Sequence, residues 1–201
     1  MDEGYFRHIV EHPEISARDV GIIQTLQPDA RHIVDLGCGL GGFVSICRQE
    51  LDEVFGLDND PAAASICRGQ GQPFLLGDVG ALPFASQSLD VVRAKEVIEH
   101  LTDARPMLRE VYRVLRPGGL FLSHVPSQFS ALYPVGNFWD DYTHVRPLSR
   151  LGLQRLLEDS GFQLVFIKGY TAGRSAAERM LGRLLSLILP HMWLGAARRP
   201  P

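Results

Sequence analysis

Apolar and polar positions along this chain switch repeatedly between two periods. In "RHIVDLG", Ile33, Val34 and Leu36 form a short β-branched run closed by glycine, the pattern of a strand buried on both faces. "GFVSICRQEL" follows with Phe43, Ile46, Cys47 and Leu51 at helical spacing. "EVFGLD", "QPFLLGD", "SLDVVRA" and "GGLFLSHV" read as four further strands. Between them lie two helical patterns, "DPAAASICRG" with Pro61 at its start and Gly69 at its end, and "TDARPMLREVYRVL". The second carries Met107, Leu108, Val111, Tyr112 and Leu115 on one side, has Thr102 or Asp103 as its cap, and stops at "RPGG". A long aromatic connection spans residues 126–148. A helix capped by Ser149 and ended by Gly161 comes next, then two strands, "FQLVFIKGYT" and "HMWLGAARRP". The apolar helical stretch "SAAERMLGRLLSLIL" separates those two strands.

Alternation of strand and helix from residue 31 to residue 125 implies right-handed βαβ units. The expected fold class is therefore α/β, a three-layer α/β/α sandwich around a mostly parallel sheet. The strand pair after the long connection is expected at an antiparallel edge. Residues 4–27 lie outside the alternation, and residues 1–30 are expected to cap a site.

Bulk properties narrow the partners. A chain of 201 residues without repeat or linker reads as one domain, 1–201. A net charge of −3 argues against a nucleic-acid partner held by bulk electrostatics. Cys38, Cys47 and Cys67 show neither a C-x-x-C pair nor zinc-ligand spacing, as expected for free thiols in a reducing compartment. The opening "MDEGYFRHIVEHPE" lacks a signal-peptide pattern, and no window approaches the ~18 apolar residues of a membrane span. The expectation is a cytoplasmic protein without a metal centre.

The chemistry concentrates in "IVDLGCGLGG". Gly37, Gly39 and Gly42 spell the G-x-G-x-x-G of dinucleotide enzymes, while Gly37, Gly39 and Gly41 spell a tighter G-x-G-x-G. Asp58 follows Gly37 by 21 positions, where either pattern places a carboxylate for ribose hydroxyls. Three features separate the two. Asp35 immediately before the loop would crowd a pyrophosphate but suits an ammonium group. Asp78, after the third strand, can accept a hydrogen bond from an adenine amine, with Val79 against the ring. "DNDP" is acidic and would reject a ribose phosphate. A ligand with an ammonium, a ribose diol and adenine, but no phosphate, is S-adenosylmethionine (SAM).

The ordered set "VDLGCGLGGF", "VFGLDNDP", "LLGDVGALPFASQSLDVVRAKEVIEHL" and "LREVYRVLRPGGLFL" resembles the SAM-dependent methyltransferases of the doubly wound, seven-stranded type. The nearest likeness is to small bacterial members with the same "EH" and "LRPGG" elements. It covers about Ile33 to Val125 and resumes at "HVRPLSRLGLQRLLEDSGF". The resemblance implies the strand order 3-2-1-4-5-7-6 with strand 7 antiparallel. It also implies that Asp35 and the loop of Gly37, Cys38, Gly39 and Gly41 hold the methionine moiety. Asp58 would hold the ribose, Asn59 would lie beside the adenine, and Asp78 and Val79 would bind its amine and face. Ala94 and Glu96 would line the cofactor near its sulfonium, where Arg93 and Lys95 depart from the small or polar residues common in the family.

Acceptor chemistry is carried by fewer signals. Residues 126–148 are expected to form an acceptor-site loop, because connections this long are often functional. Trp139, Asp140, Tyr142, His144 and Arg146 are the candidate acceptor contacts, and Phe129, Tyr133 and Phe138 complete its aromatic set. His144 and His100 are the candidate general bases, with a packing or capping role as the competing reading for each. No Asn- or Asp-Pro-Pro-Tyr and no Pro-Cys follows the fourth strand, which disfavours amide, base-amine and cytosine acceptors. An O-methyl transfer to a small-molecule, sugar-linked or lipid-linked acceptor is therefore expected. The alternatives are a nicotinamide-dependent oxidoreductase or epimerase, and a non-catalytic SAM-fold module that activates a partner. The stretch with Arg174, Arg179 and Arg183 reads as a core-packed or homodimer helix, or as one lying in a membrane interface.

Overall fold

A computed structural model describes residues 13–48, 50–51, 53–132, 137–171 and 188–201. The helical stretch holding Arg174, Arg179 and Arg183, the aromatic Tyr133, and the first part of the expected N-terminal cap lie outside the described residues. Seven strands form one sheet: β1 (His32–Leu36), β2 (Glu53–Asp58), β3 (Phe74–Leu76), β4 (Leu89–Lys95), β5 (Leu115–Pro126), β6 (Gln163–Tyr170) and β7 (Met192–Arg198). Their order is β3-β2-β1-β4-β5-β7-β6, with β7 antiparallel to both neighbours. This is the order and the antiparallel edge expected from the sequence. Among the described residues, five α-helices accompany the sheet: α1 (Pro13–Leu26), α2 (Gly42–Cys47), α3 (Pro61–Gly69), α4 (Arg105–Val114) and α5 (Arg150–Asp159).

The sheet is covered on both sides because its strand residues are apolar at consecutive positions, not only at alternate ones. Val34, Leu36, Val92, Phe121 and Val125 face a core shared with α4 and α5 through Leu108, Val111, Leu153 and Leu157. Ile33, Val91, Leu120 and Leu122 face the opposite core, closed by Val20 and Ile23 of α1 and Phe43 and Val44 of α2. By strand alternation, Asp35 and Arg93 share the α1 side with Ile33 and Val91.

Local boundaries follow local chemistry. Asp60 caps α3, accepting a hydrogen bond from Ala62 N at 2.8 Å, and Pro61 occupies its first helical position. Ser149 caps α5, and Gly161 past its end has φ +90. Three boundaries differ from the pattern. Helix α2 stops at Cys47 instead of Leu51, yet Leu51 N still donates to Cys47 O at 2.7 Å, so the turn delivers Leu51 to the core. Helix α4 has Ala104 at its N-cap position, while the exposed Asp103 folds over to accept from Arg105 N at 3.0 Å. Strand β5 begins at Leu115, before "RPGG", because Leu115 already pairs with Leu89.

Strand order reverses between β1 and β4, whose neighbours lie on opposite sides. The crevice at the carboxyl ends of these two strands is the switch point where ligands of open α/β sheets bind.

Candidate active site

The loop after β1 is built on three left-handed residues, Gly37 (φ +66), Gly39 (φ +51) and Gly41 (φ +73). A side chain is strained in that region, so alternate positions are reserved for glycine. Gly42 instead opens α2, and the left-handed positions repeat with the spacing of the tighter pattern. Space is also short. A Cβ on Gly37 would lie 2.5 Å from Val97 Cγ2, and one on Gly41 would lie 1.6 Å from Gln72 Oε1. Gly37 N and Cys38 N donate to Leu57 O at 2.8 and 3.2 Å, tying the loop to β2. Cys38 packs where Gly56 has no side chain, since a Cβ there would come within 2.5 Å of its sulfur. Burial pushes the thiols of Cys38 and Cys47 far up, so both are inert neutral groups.

Asp58 closes this loop from the end of β2. Its Oδ2 accepts from Gly39 N at 2.9 Å and its Oδ1 from Asp60 N at 3.0 Å. A carboxylate has about four lone-pair positions, so two remain for a ligand. Asn59 is exposed beside it. Asp78 folds back on its own turn, Oδ1 accepting from Gly80 N at 2.7 Å, and Oδ2 has no partner among the described residues. Val79 is half-buried against the core next to Asp78.

Asp35 is not open to the crevice. It is 2% exposed, and its Oδ1 lies 2.8 Å from Arg93 Nη1. Arg93, 1% exposed, also donates from Nε to Asp19 Oδ2 at 2.9 Å, and its guanidinium lies 4.2 Å from the Phe43 ring. His124 Nε2 lies 2.9 Å from the same Asp19 oxygen, and His124 Nδ1 lies 2.9 Å from the Tyr170 hydroxyl. A buried polar chain thus joins α1, β1, β4, β5 and β6. Burial alone would raise the Asp19 carboxyl, but His124 and Arg93 outweigh it and hold that group at about 2. Ala94 faces away from this chain into the core, fully enclosed. Glu96, at the strand's end, has φ +55 and pairs with Lys95.

Beyond Glu96 the chain makes a 3-10 turn, Ile98–His100, and meets the long connection of residues 126–148 there. Val145 N donates to Glu99 O at 2.8 Å, joining the two segments. His100 Nδ1 lies 2.8 Å from Thr143 Oγ1, whose own proton goes to Asp141 Oδ1 at 2.6 Å. His144 Nδ1 lies 2.7 Å from the carbonyl of Phe138, which can only accept. Both Nδ1 atoms are therefore donors, assigned from their partners, and each ring in its neutral form keeps its lone pair on Nε2. The two rings lie 4.7 Å apart between centroids, and Phe138 stacks on His144 at 4.5 Å. Burial and the neighbouring His144 push His100 down, which keeps it neutral.

The remaining acceptor candidates spread over the outside of this loop. Asp140 accepts from Asn137 N at 2.8 Å in a capping box, and Trp139 (60% exposed), Tyr142 (96%) and Arg146 face solvent. The structure thus brings His100 and His144 together but keeps Tyr142 and Arg146 apart from them at the surface. Glu99, which the sequence sets beside His100, is 1% exposed, and neither carboxylate oxygen has a hydrogen-bond partner among the described residues. Burial and the Glu96 carboxylate push it well above the ordinary range. Asp19, Arg93, His124 and Tyr170 were missed as a group. The available signal was an arginine inside an otherwise apolar strand.

Comparison with known proteins agrees with this fold. Residues 34–123 match the family model described as a methyltransferase domain. A protein of Mycolicibacterium smegmatis named a probable SAM-dependent methyltransferase is 31% identical over 185 residues, covering 88% of this chain and 66% of that protein. The malonyl-[acyl-carrier protein] O-methyltransferase of Serratia marcescens is 31% identical over 127 residues, 59% of this chain and 49% of its own. The chain thus spans about half to two thirds of these curated relatives. In fold, it resembles a methyltransferase of Haloferax volcanii solved in complex with the Trm112 methyltransferase activator. That likeness has a TM-score of 0.79 at 20% identity, over 99% of this chain and 95% of that one. The sheet order, the domain match and these relatives together show that the chain belongs to the SAM-dependent methyltransferases of the doubly wound, seven-stranded type, a family that uses SAM as its methyl donor.

Proposed function

We propose that the protein transfers the methyl group of SAM to a hydroxyl oxygen of a small-molecule, sugar-linked or lipid-linked acceptor. The observation that carries the O-methyl reading is the pair of Nε2 lone pairs on His100 and His144, beside the end of β4. A hydroxyl must shed its proton as it attacks, whereas an amine presents its lone pair directly. SAM, when bound, supplies a methyl carbon activated by its sulfonium.

The cradle fits that cofactor. The left-handed glycines at 37, 39 and 41 hold the loop in a tight turn, from which the backbone and Cys38 would meet the methionine portion. Asp35 would act beneath that portion, its carboxylate shared with Arg93. The two free positions on Asp58 suit the ribose diol, with Asn59 beside the adenine. The unpartnered Oδ2 of Asp78 suits the adenine amine, and Val79 its face. Ala94 would contribute by its small size under the sulfonium end, and Glu96 by its turn. On the acceptor side, Trp139, Asp140, Tyr142 and Arg146 would frame the entrance, with 126–148 as the acceptor loop and 1–30 as the cap of a single domain, 1–201. Three free, buried cysteines fit a reducing, cytoplasmic setting.

Calorimetric titration with SAM, S-adenosylhomocysteine and NAD, repeated on Asp58→Ala and Asp78→Ala, tests the cradle. Binding of both sulfur ligands, weakened in both variants, is expected. Binding of NAD alone would sink the reading. With SAM binding in hand, methyl-labelled SAM is offered to hydroxyl and amine acceptors; label found only on nitrogen would refute the O-methyl part.

A further inference from the structure

We propose that Glu99, His100 and His144 form a binding site for a divalent first-row transition ion of the zinc, manganese or iron(II) kind, at the acceptor end of the crevice. One oxygen of Glu99 and one nitrogen of each histidine lie within 4.8 Å of one another. Metal–ligand distances of about 2.0–2.2 Å require these atoms roughly 1 Å closer, a movement within reach of side-chain rotation.

Two observations single this cluster out from a chance grouping. The first is Glu99: its carboxylate is buried, aimed into the cluster, and unmet by any hydrogen bond among the described residues. A carboxylate removed from water calls for a partner, and a cation between the imidazoles is one. The second is the orientation of the two rings. Each spends its Nδ1 proton on a fixed acceptor, the Phe138 carbonyl or the Thr143 hydroxyl, which aims the Nε2 lone pair elsewhere. Metal-bound histidines are held this way by an outer hydrogen bond. Thr143 is fixed in turn by Asp141, whose Oδ2 lies 3.9 Å from His144 Nε2 and adds negative charge nearby.

The donor set decides the class of ion. Two imidazole nitrogens and one carboxylate oxygen suit zinc, manganese or iron(II), while calcium and magnesium favour sites built mostly of oxygen. Three protein ligands leave coordination positions open. Those positions would take the acceptor oxygen. The imidazoles then act through the ion instead of taking the proton themselves. The bound hydroxyl gives its proton to solvent, its oxygen forms the new bond to the methyl carbon, and the electron pair of the broken carbon–sulfur bond stays on sulfur. This chemical role rests on the O-methyl reading; binding of the ion does not.

The test uses the full chain without a polyhistidine tag, treated with a chelator and dialysed. Cobalt(II) is titrated while its visible absorption is followed, and manganese(II) by loss of the free-ion paramagnetic resonance. One ion per chain is expected, with affinity falling at least 10-fold in Glu99→Gln and in His144→Ala at unchanged circular dichroism. If either variant fails to fold, Thr143→Val serves, because releasing the His100 ring is expected to weaken binding without removing a ligand. Absence of a saturable cobalt spectrum, or equal affinity in folded variants, overturns the site. SAM titrated into the same samples separates this failure from failure of the cofactor reading. If cobalt binds but transfer survives chelation, the catalytic role is overturned.

Discussion

Replacing Arg93 with methionine is the most direct probe of how the crevice is held together. The guanidinium sits between Asp19 Oδ2 at 2.9 Å and Asp35 Oδ1 at 2.8 Å, 1% exposed. Methionine keeps much of the apolar stem but removes the guanidinium that joins two buried carboxylates, with Arg18 at 3.7 Å and His124 at 2.9 Å still beside Asp19. Stranding one partner of a buried pair costs about 3–5 kcal/mol. An independent bound follows from titration. The pair can relieve itself by taking up one proton, and at pH 7 protonating a carboxyl of ordinary pKa near 3.9 costs about 4 kcal/mol, since each unit is worth about 1.36. The two routes agree on a loss of about 4 kcal/mol, or roughly 8–16 °C in melting temperature for a domain of this size. They also fix the pH dependence. In Arg93→Met the protonated carboxyl has a folded pKa raised above its unfolded value. Stability is therefore retained at low pH and lost as pH rises. At pH 5 the same proton costs only about 1.5 kcal/mol, so the deficit should shrink accordingly. Urea unfolding of both proteins at pH 5 and pH 7 measures this, and adding Asp19→Asn to Arg93→Met should recover much of the loss at pH 7. A deficit under about 1 kcal/mol at pH 7, or one unchanged at pH 5, would refute the argument.

Other perturbations separate the remaining roles. Gly37→Ala forces a side chain into φ +66 and against Val97 at 2.5 Å, so SAM affinity by calorimetry should fall at least ~10-fold. Gly69→Ala, where an added Cβ meets nothing within 4 Å, should leave affinity unchanged. Asp90 accepts from Arg31 N and His32 N at 3.0 and 2.9 Å and pairs with Arg116; burial works against these contacts, but they hold its carboxyl below the ordinary range. Its stabilisation is complete above the unfolded pKa of about 4 and is lost as pH falls further, so wild type should lose its advantage over Asp90→Asn on acidification from pH 6 to pH 3. Trp139→Ala removes an exposed ring from the proposed acceptor loop and should raise the acceptor KM several-fold while the SAM Kd stays constant.

The legible parts of this protein are those whose physics is local. A strand buried on both faces must be apolar at consecutive positions, so β1, β2, β4 and the core of β5 announce themselves. The glycine loop is legible because left-handed backbone at alternate positions excludes nearly every other residue. Boundaries are less so. Leu51 satisfies a helical period yet sits past the end of α2, because an i to i−4 bond in a following turn delivers the same side chain to the same core. The "RPGG" segment has turn composition, but Leu115 before it is recruited into β5 by its pairing with Leu89, a contact that only the assembled sheet provides.

The least legible features are the charged ones, for a reason the geometry makes plain. Asp19 and Arg93 are 74 positions apart and belong to a helix and a strand whose own patterns are complete without them. Nothing in the period of either element requires the other. What the sequence does carry is a violation: an arginine in the run "DVVRA", where strand burial on both faces leaves a guanidinium no solvent. A buried cation requires buried anions, and the nearest candidate, Asp35, is also the carboxylate placed at the mouth of the glycine loop. The same logic applies to Glu99. It lies in a short turn that local rules leave neutral, and its neighbours in space, His100 and His144, come from two segments joined by a backbone hydrogen bond, the Thr143 contact and the packing of the two rings. Spacing rules for metal ligands look for pairs on one helix or one tight turn, and this cluster takes its third member from the separate connection of residues 126–148. Charges that break an apolar pattern are thus the sequence positions from which long-range site chemistry can be sought, and Arg93→Met and Glu99→Gln test that idea at its two ends.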